Sequence, residues 1–347
     1  MSDPQMEARV RGAVSRASGR DASHDPVRRL AGHASLRSYW RVGRPPGALV
    51  VMVLPPDAKP EEVTRGSAPA ANPFVDVQRY LAGLGVRVPA IHAFEEAEGL
   101  MVLEDLGDEM LETRLLAGEA QGPLYERAID QLARLRARAE AHPSGCIAFG
   151  RSFDRELYRW ELDHFVEWGV EAWKGERLSP AEKAVVDRCF DRIAGALESE
   201  PKGFTHRDYQ SRNLMVLPGG EQAVIDFQDA LLGPRQYDLV ALLRDSYVEL
   251  DGAFVDAMLR RYLDRFAAEG GPRLDPGPFR DVFDLLTIQR KLKDAGRFVF
   301  IDRVKKNPGF LPSIPASLRY VRDAFARRAD LAELQGILAR HVPELAR

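Results

Sequence analysis

Three side chains in the middle of this sequence have the types and spacing that phosphoryl transfer requires. Asp208 and Asn213 have four residues between them, and Asp226 follows a short turn and an apolar run. Phosphoryl transfer needs a carboxylate that orients the attacking hydroxyl and oxygen ligands that hold magnesium on the phosphates. We therefore expect Asp208 to be the catalytic base, and the Asn213 amide and Asp226 carboxylate to bind Mg²⁺.

Two further residues of this motif are interpreted as supports. We expect His206 to fix the loop that carries Asp208, and Asp238 to accept hydrogen bonds from that loop. An H-x-D triplet alone is common, and an isolated Asp often does no more than cap a turn. The concurrence of the base, both metal ligands and Asp238 favours catalysis over that alternative.

The elements that must position these residues change in type along the chain. The first hundred residues alternate short apolar runs with turn residues, which predicts a strand-rich unit with one helix. From Leu111 onward apolar residues recur at helical spacing, for example over Arg280–Val304 and over Ala316–Leu338 as one helix. Between them a hairpin over Met215–Ile225 is predicted, with Asn213 and Asp226 at its two open ends.

This order of elements predicts an α+β fold with a kinase-like bilobal plan. A chain of 347 residues fits two domains better than one. We expect a loosely held N-terminal arm or short helix (1–26), a β-rich nucleotide-binding lobe (27–104) and a helical catalytic and substrate-binding lobe (105–347).

Composition narrows the class of partner. The formal net charge of -3 argues against a general nucleic-acid binder. The N-terminus lacks the apolar core of a secretory signal, and no apolar run is long enough to span a membrane. Only Cys146 and Cys189 are present, which fits packing roles in a reducing cytoplasm. The oligomeric state stays open.

The block Phe204–Tyr247 resembles the aminoglycoside phosphotransferase and choline kinase superfamily. More narrowly, His206–Tyr209, Asp226–Ala230 and Tyr237–Leu239 are similar to the bacterial anomeric kinases for N-acetylmuramate and N-acetylglucosamine. This resemblance extends over nearly all of the chain beyond the N-terminal arm. It implies a kinase-like fold, ATP and Mg²⁺ as cofactors, and phosphorylation of the anomeric hydroxyl of a cell-wall amino sugar.

The resemblance also implies where the nucleotide would lie. Adenine would hydrogen-bond to the main chain of the hinge around Glu104 and Leu106, and main-chain contacts leave ATP and GTP as alternatives. Ser35 lies in a phosphate-covering loop, Gly32–Ser38, that is poor in glycine.

One position departs from the superfamily pattern. Most of its members carry a lysine on the third strand that pairs with the nucleotide phosphates, and this chain has Met52 there. We hypothesise that Arg37, or Arg212 beside Asn213, supplies the missing positive charge. The alternative for Arg37 is a solvated strand residue.

Three residues are candidate acceptor ligands. Gln228 and Asp229 directly follow Asp226, and we expect Asp229 to hold a sugar hydroxyl. Arg290 lies opposite the apolar stripe of its predicted helix, where it could pair with the lactyl carboxylate of N-acetylmuramate. The alternatives are a turn contact for Asp229 and a solvated basic face for Arg290.

These observations predict a small-molecule kinase that acts on an amino sugar. An alternative in the same class is a kinase for an aminoglycoside, an amino alcohol or another hydroxyl compound. An alternative of another class is a catalytically silent nucleotide-binding scaffold, because the third-strand lysine is replaced by Met52.

Overall fold

The computed structural model describes residues 3–30, 37–54 and 72–346. The chain divides into two compact units, which we call the first and the second unit. The first contains Met1–Glu109 and Met215–Gln228, and the second contains Met110–Leu214 and Asp229–Arg347. Within the described part of the chain, no helix has both the length and the apolar character needed to cross a membrane.

Strands and helices alternate early in the chain, and helices dominate later. The strands are β1 (Val27–Arg29), β2 (Ser38–Val42), β3 (Leu49–Val53), β4 (Ile91–Glu95), β5 (Leu100–Glu104), β6 (Lys202–Thr205), β7 (Leu214–Val216), β8 (Gln222–Val224) and β9 (Leu231–Pro234). The helices are α1 (Asp3–Ser18), α2 (Pro73–Gly83), α3 (Leu111–Leu116), α4 (Gln121–Ala141), α5 (Arg155–Phe165), α6 (Pro180–Glu198), α7 (Tyr237–Leu243), α8 (Gly252–Ala268), α9 (Pro276–Lys305), α10 (Ile314–Phe325) and α11 (Ala332–His341).

The first unit is built on a five-stranded antiparallel sheet. Its strand order is β1-β2-β3-β5-β4, and β2 pairs with β3 from Ser38 opposite Val53 to Val42 opposite Leu49. β3 consists of five consecutive apolar residues and lies between β2 and β5 in the sheet. It is therefore a buried central strand. Antiparallel β6–β9 and the β7–β8 hairpin form two separate two-stranded sheets.

The N-terminal region is a packed helix and not a loosely held arm. Val10, Ala13 and Val14 of α1 are completely buried against the sheet, in a core that includes Trp40 and Val102. These three positions recur at helical spacing, so one face of α1 covers apolar sheet surface. Burying each such valine stabilises the fold by about 1.5–3 kcal/mol.

The boundary between the units also differs from the expected one at residue 104. The contacts place it after Glu109, and they assign Met215–Gln228 to the first unit although it was expected in the helical lobe. Two main-chain hydrogen bonds account for this assignment. The Val216 amide donates to the Glu109 carbonyl at 2.7 Å, and the Val224 amide donates to the Arg87 carbonyl at 2.8 Å.

Helix α9 is the central element of the second unit and packs against α5, α7 and α10. Its 30 residues begin at an N-cap, Asp275, whose side chain accepts the amide of Gly277. The alternative of a solvated basic face on this helix does not hold at Arg290, which is 2% exposed. The single helix predicted over Ala316–Leu338 is also wrong, because α10 ends at Phe325 and α11 begins at Ala332.

Candidate active site

The loop after β6 has a sharp bend that two side chains hold. Arg207 adopts a left-handed backbone conformation with φ of 79°, which is uncommon for a residue other than glycine. Asp238, in the first turn of α7, accepts the amides of His206 at 2.7 Å and of Arg207 at 2.9 Å. His206 Nδ1 accepts the Asp208 amide at 3.2 Å. The contacts of Asp238 and His206 are those that supporting roles require.

The main-chain carbonyl of Asp208 closes the loop. It accepts Nδ2 of Asn213 at 2.8 Å and the amide of Gln210 at 2.9 Å. Because Asn213 uses its nitrogen here, its amide oxygen is available to a cation. The short loop therefore holds the candidate base and one candidate metal ligand in fixed relation to each other.

The carboxylate of Asp208 is paired with a buried cation from α9. Arg290 Nη2 donates to Asp208 Oδ1 at 3.0 Å, and the Asp208 side chain remains 37% exposed. Burial raises the pKa of this carboxyl, but Arg290, Lys293 and Arg207 more than offset that effect and leave the pKa lowered. Asp208 is therefore ionised at neutral pH, as an acceptor of a proton must be.

Two buried acids that the sequence reasoning missed stabilise the same loop. Asp245 Oδ2 accepts the Ser211 amide at 2.9 Å and the Ser211 hydroxyl at 2.5 Å. Glu161 of α5 is completely buried and lies 3.5 Å from Arg207 Nη2. Asp245 had one usable signal, because two charged residues, Arg244 and Asp245, follow the apolar helix α7. Glu161 had none, since it is distant in sequence from the motif.

Asp226 belongs to the first unit and has its own positioning contacts. It follows β8 after one residue and adopts φ of 63°, which is again left-handed. Gln228 Nε2 donates to Asp226 Oδ1 at 2.9 Å, and Gln228 is buried. Phe227 is completely buried, and its ring centroid lies 4.8 Å from that of Phe74 on α2. A packed aromatic residue thus anchors the turn that presents Asp226.

Gln228 and Asp229 are placed differently from each other. The Gln228 side chain donates to Asp226, which places it beside the candidate metal ligand. Asp229 begins the next segment of the second unit and is half-buried.

Arg37 of the first unit is a candidate for the positive charge that the missing lysine would supply. Met52 is completely buried in β3 and offers no cation. Arg37 hydrogen-bonds with the hydroxyl of Tyr39. Burial raises the pKa of Tyr39, while Arg37 opposes the rise and the negative charge of Asp226 adds to it. Tyr39, which sequence reasoning did not single out, thus lies within the electrostatic reach of both Arg37 and Asp226.

Two arginines brace the hinge at the end of β5. Arg41 of β2 is buried, with its Nε 2.7 Å from Asp105 Oδ2 and its Nη1 2.7 Å from Asp108 Oδ2. Arg87 Nη1 donates to Glu104 Oε2 at 2.8 Å and, with burial opposing it, lowers the pKa of that carboxyl. The carboxylates of Glu104, Asp105 and Asp108 are therefore all engaged by arginines of the first unit.

The remaining nucleotide candidates are Leu106 and Ser35. No hydrogen bond joins the main chain of Leu106 to any residue within the described ranges. Its amide and carbonyl can therefore pair with the edge of a base. Ser35 and most of its loop lie outside the described residues.

Arg212 is already engaged by a carboxylate in the second unit. Its Nε and Nη2 both donate to Glu112 at 2.9 Å, and its guanidinium carbon lies 3.5 Å from the ring centroid of Tyr247. Arg212 is thus a less suitable replacement for the missing lysine than Arg37.

A cavity of about 470 Å³ opens beside Arg212 in the same unit. Its wall includes Glu112, Arg212, Ser246, Tyr247, Glu249 and Arg319. The two arginines are paired with the two glutamates, Arg212 with Glu112 and Arg319 with Glu249. These four charges cancel. Burial raises the pKa of the Tyr247 hydroxyl, and the negative charge of Asp208 adds to the rise.

Comparison with known proteins agrees with this geometry. Residues 26–276 match the phosphotransferase enzyme family. Over 309 residues the chain is 36% identical to the N-acetylmuramate/N-acetylglucosamine kinase of Pseudomonas aeruginosa, covering 88% of this chain and 86% of that protein. Over 342 residues it is 32% identical to the kinase of the same name from Caulobacter vibrioides, covering 94% of this chain and 91% of that protein.

A solved structure shows the same fold. The ADP-bound aminoglycoside phosphotransferase APH(2'')-Ib superposes with a TM-score of 0.58 at 12% sequence identity, covering 92% of this chain and 99% of that one. The expected α+β, kinase-like bilobal fold is confirmed. The chain therefore belongs to the phosphotransferase enzyme family, and it is a nucleotide-using kinase.

Proposed function

We propose that this enzyme transfers the γ-phosphoryl group of ATP to the anomeric hydroxyl of N-acetylmuramate or N-acetylglucosamine. The observation that carries the proposal is the similarity to kinases named for these two sugars, at 36% and 32% identity over most of each chain. The catalytic loop supports it, because Asp208 is partly exposed and ionised. The cytoplasm, where ATP is available, is the proposed compartment.

In the proposed reaction, Asp208 accepts the proton of the anomeric hydroxyl as that oxygen forms a bond to the γ-phosphorus. The bond from this phosphorus to the β–γ bridging oxygen breaks, and ADP leaves. An anomeric hydroxyl is more acidic than an ordinary alcohol, so a carboxylate with a lowered pKa can still serve as its base.

We propose Asn213 and Asp226 as the magnesium ligands. Bound Mg²⁺ would neutralise negative charge on the phosphate oxygens during transfer. In the described part of the chain, no group of three or more His, Cys, Asp or Glu residues could hold a metal. One amide and one carboxylate fit Mg²⁺, which takes few protein ligands and completes its shell with phosphate and water oxygens.

Arg37 is proposed as the cation that replaces the missing lysine. The charges of Arg37 and Asp226 both act on the Tyr39 hydroxyl. A guanidinium can contact phosphate oxygens in a bidentate manner and is always charged. The hinge main chain from Glu104 to Leu106 is proposed to bind the adenine.

The cavity beside Arg212 is the proposed place of the acceptor, with Asp229 as a further ligand of a sugar hydroxyl. The cancelling charges of its two Arg–Glu pairs suit an uncharged or singly charged sugar better than an aminoglycoside polycation. Paired charged groups also offer donors and acceptors to several hydroxyls at once.

The test is a transfer assay with a panel of acceptors and with ATP or GTP as donor, followed by NMR of the product. We expect a phosphate on the anomeric oxygen of an N-acetylated amino sugar. A phosphate elsewhere, or a preference for aminoglycosides, would refute the acceptor. Nucleotide binding without turnover of any acceptor would instead favour the scaffold.

A further inference from the structure

Arg290 is an unusual residue to find in the interior of α9. It is 2% exposed and belongs to the largest fully buried side chains of the protein. A guanidinium remains charged inside a protein, so its burial costs free energy unless hydrogen-bond or ion-pair partners compensate. The partners of Arg290 therefore indicate the role of this side chain.

The guanidinium spans the bend of the catalytic loop. Nη1 donates to the Arg207 carbonyl at 2.7 Å, and Nη2 donates to Asp208 Oδ1 at 3.0 Å. Its central carbon lies 4.9 Å from the ring centroid of Tyr237. One rigid planar group thus contacts both the left-handed residue of the loop and the carboxylate beside it.

The far side of the guanidinium faces a carboxylate of the next turn of α9, without a hydrogen bond to it. Asp294 Oδ2 lies 3.9 Å from Arg290 Nε and 2.7 Å from Lys291 Nζ, while Asp294 Oδ1 lies 3.3 Å from Lys293 Nζ. Asp294 is therefore shared among three cations. This arrangement leaves Arg290 little freedom to turn toward a bound ligand.

The contact with Arg290 affects the two carboxylate oxygens of Asp208 differently. With Oδ1 held by Arg290, the carboxylate cannot rotate freely, and the second oxygen, Oδ2, is the one that remains for an acceptor hydroxyl. The partial exposure of the Asp208 side chain, against the nearly complete burial of Arg290, agrees with this division. A base whose orientation is fixed needs no reorganisation when the acceptor binds.

We propose that Arg290 is a positioning residue that fixes the Asp208 carboxylate and the bend at Arg207, and that it does not bind the acceptor. This inference rests on the proposed function, in which Asp208 is the base. It replaces the hypothesis of a lactyl carboxylate ligand, because both terminal nitrogens of the guanidinium already donate to the catalytic loop.

The test compares Arg290→Met and Arg290→Lys with a matched control, Arg244→Lys. Arg244 is also buried, but its guanidinium carbon lies 5.5 Å from the Phe283 ring centroid and 5.3 Å from that of Tyr320, and it makes no hydrogen bond to Arg207 or Asp208. We expect Arg290→Met to lower kcat about 100-fold, with the KM of sugar and of ATP changed less than about twofold. Arg290→Lys should retain part of kcat, because its charge can reach one partner but not both.

Chemical rescue separates positioning from general damage. Guanidinium ion at millimolar concentration should restore part of kcat in Arg290→Met and leave the control unchanged. The proposal is overturned if the variant raises the KM of N-acetylmuramate more than that of N-acetylglucosamine. It is also overturned if kcat falls no more than in the control at an equal loss of Tm.

Hydrogen–deuterium exchange provides a readout that needs no acceptor. Amides of residues 205–213 should exchange faster in Arg290→Lys than in the wild type or in Arg244→Lys. Faster exchange together with a wild type that phosphorylates no sugar would refute the proposed function and keep the positioning role. Unchanged exchange in an active wild type would refute the positioning role alone.

Discussion

Asp208 is held at its main chain and at its side chain by different parts of the second unit. Its carbonyl accepts the Asn213 side chain, and its carboxylate accepts Arg290. The same loop is bent at Arg207, whose amide is bonded to Asp238. At the scale of single residues, the site is therefore a fixed carboxylate in a loop with few remaining degrees of freedom.

Replacing this carboxylate should separate chemistry from binding. Asp208→Asn keeps the size of the side chain but removes the proton acceptor, so we expect kcat to fall by about 10²–10⁴-fold. The affinity for ADP, measured by calorimetry, should stay within about twofold of the wild type. Retention of more than about a tenth of kcat would show that another group serves as the base.

Arg37 allows a second prediction at this scale. If it contacts the nucleotide phosphates, Arg37→Ala should raise the KM of ATP by about tenfold, because a charge-assisted hydrogen bond contributes about 1.5–3 kcal/mol. Arg44→Ala, in the exposed turn after β2, is the matched control. If both variants had the same ATP kinetics, Arg37 would not be the cation that contacts the nucleotide phosphates.

At the scale of elements, α6 begins with a complete capping box. The Ser179 hydroxyl accepts the Glu182 amide at 3.3 Å, and Glu182 Oε2 accepts the Ser179 amide at 2.9 Å. The bond from the Ser179 amide, together with Arg340 and the Ser179 hydroxyl, lowers the pKa of the Glu182 carboxyl to about 2. Its ionised form is therefore favoured in the folded state.

The lowered pKa of Glu182 predicts a pH dependence of stability. Since its folded pKa lies below the ordinary value of 4.5, its contribution is complete above that pH and is lost as pH falls toward about 2. The difference in Tm between wild type and Glu182→Gln should thus be largest near neutral pH and shrink between about pH 4.5 and pH 3. A difference that is constant over this range would contradict the assignment.

At the scale of the whole molecule, α1 is part of the core of the first unit. Val14→Asp would bury a carboxylate among apolar residues, which we expect to lower the free energy of unfolding by more than about 3 kcal/mol. Ala8→Asp, at an exposed position of the same helix, should change it by less than about 0.5 kcal/mol. Urea unfolding measures both, and equal effects would show that α1 does not contribute to the core.

Local sequence pattern predicted the elements whose signals are local. The first hundred residues contain the predicted strands, and β7 and β8 form the predicted hairpin within one residue at each end. The catalytic motif could be found because its spacing is carried by a single loop. The role of α1 was less evident, since only three small or branched residues mark its buried face.

The rest depended on contacts between distant segments. Arg290 has the sequence context of a surface cation, and only the position of α9 against the catalytic loop buries it. Arg41 on β2 and Arg87 in the segment between α2 and β4 brace the hinge, and no local pattern marks them for that role. Burial and pairing of charged residues are tertiary properties, so the periodicity of one helix does not reveal them.

The β7–β8 hairpin has a consequence for synthesis. The first unit includes Met215–Gln228, so the ribosome must translate more than a hundred residues of the second unit before the first has all of its chain. At about 5–20 residues per second, that interval lasts several seconds at least. During this interval the carbonyls of Arg87 and Glu109 lack the amides of Val224 and Val216, with which they bond in the folded protein. The N-terminal part of this protein is thus made several seconds before the segment that completes its sheet-containing unit.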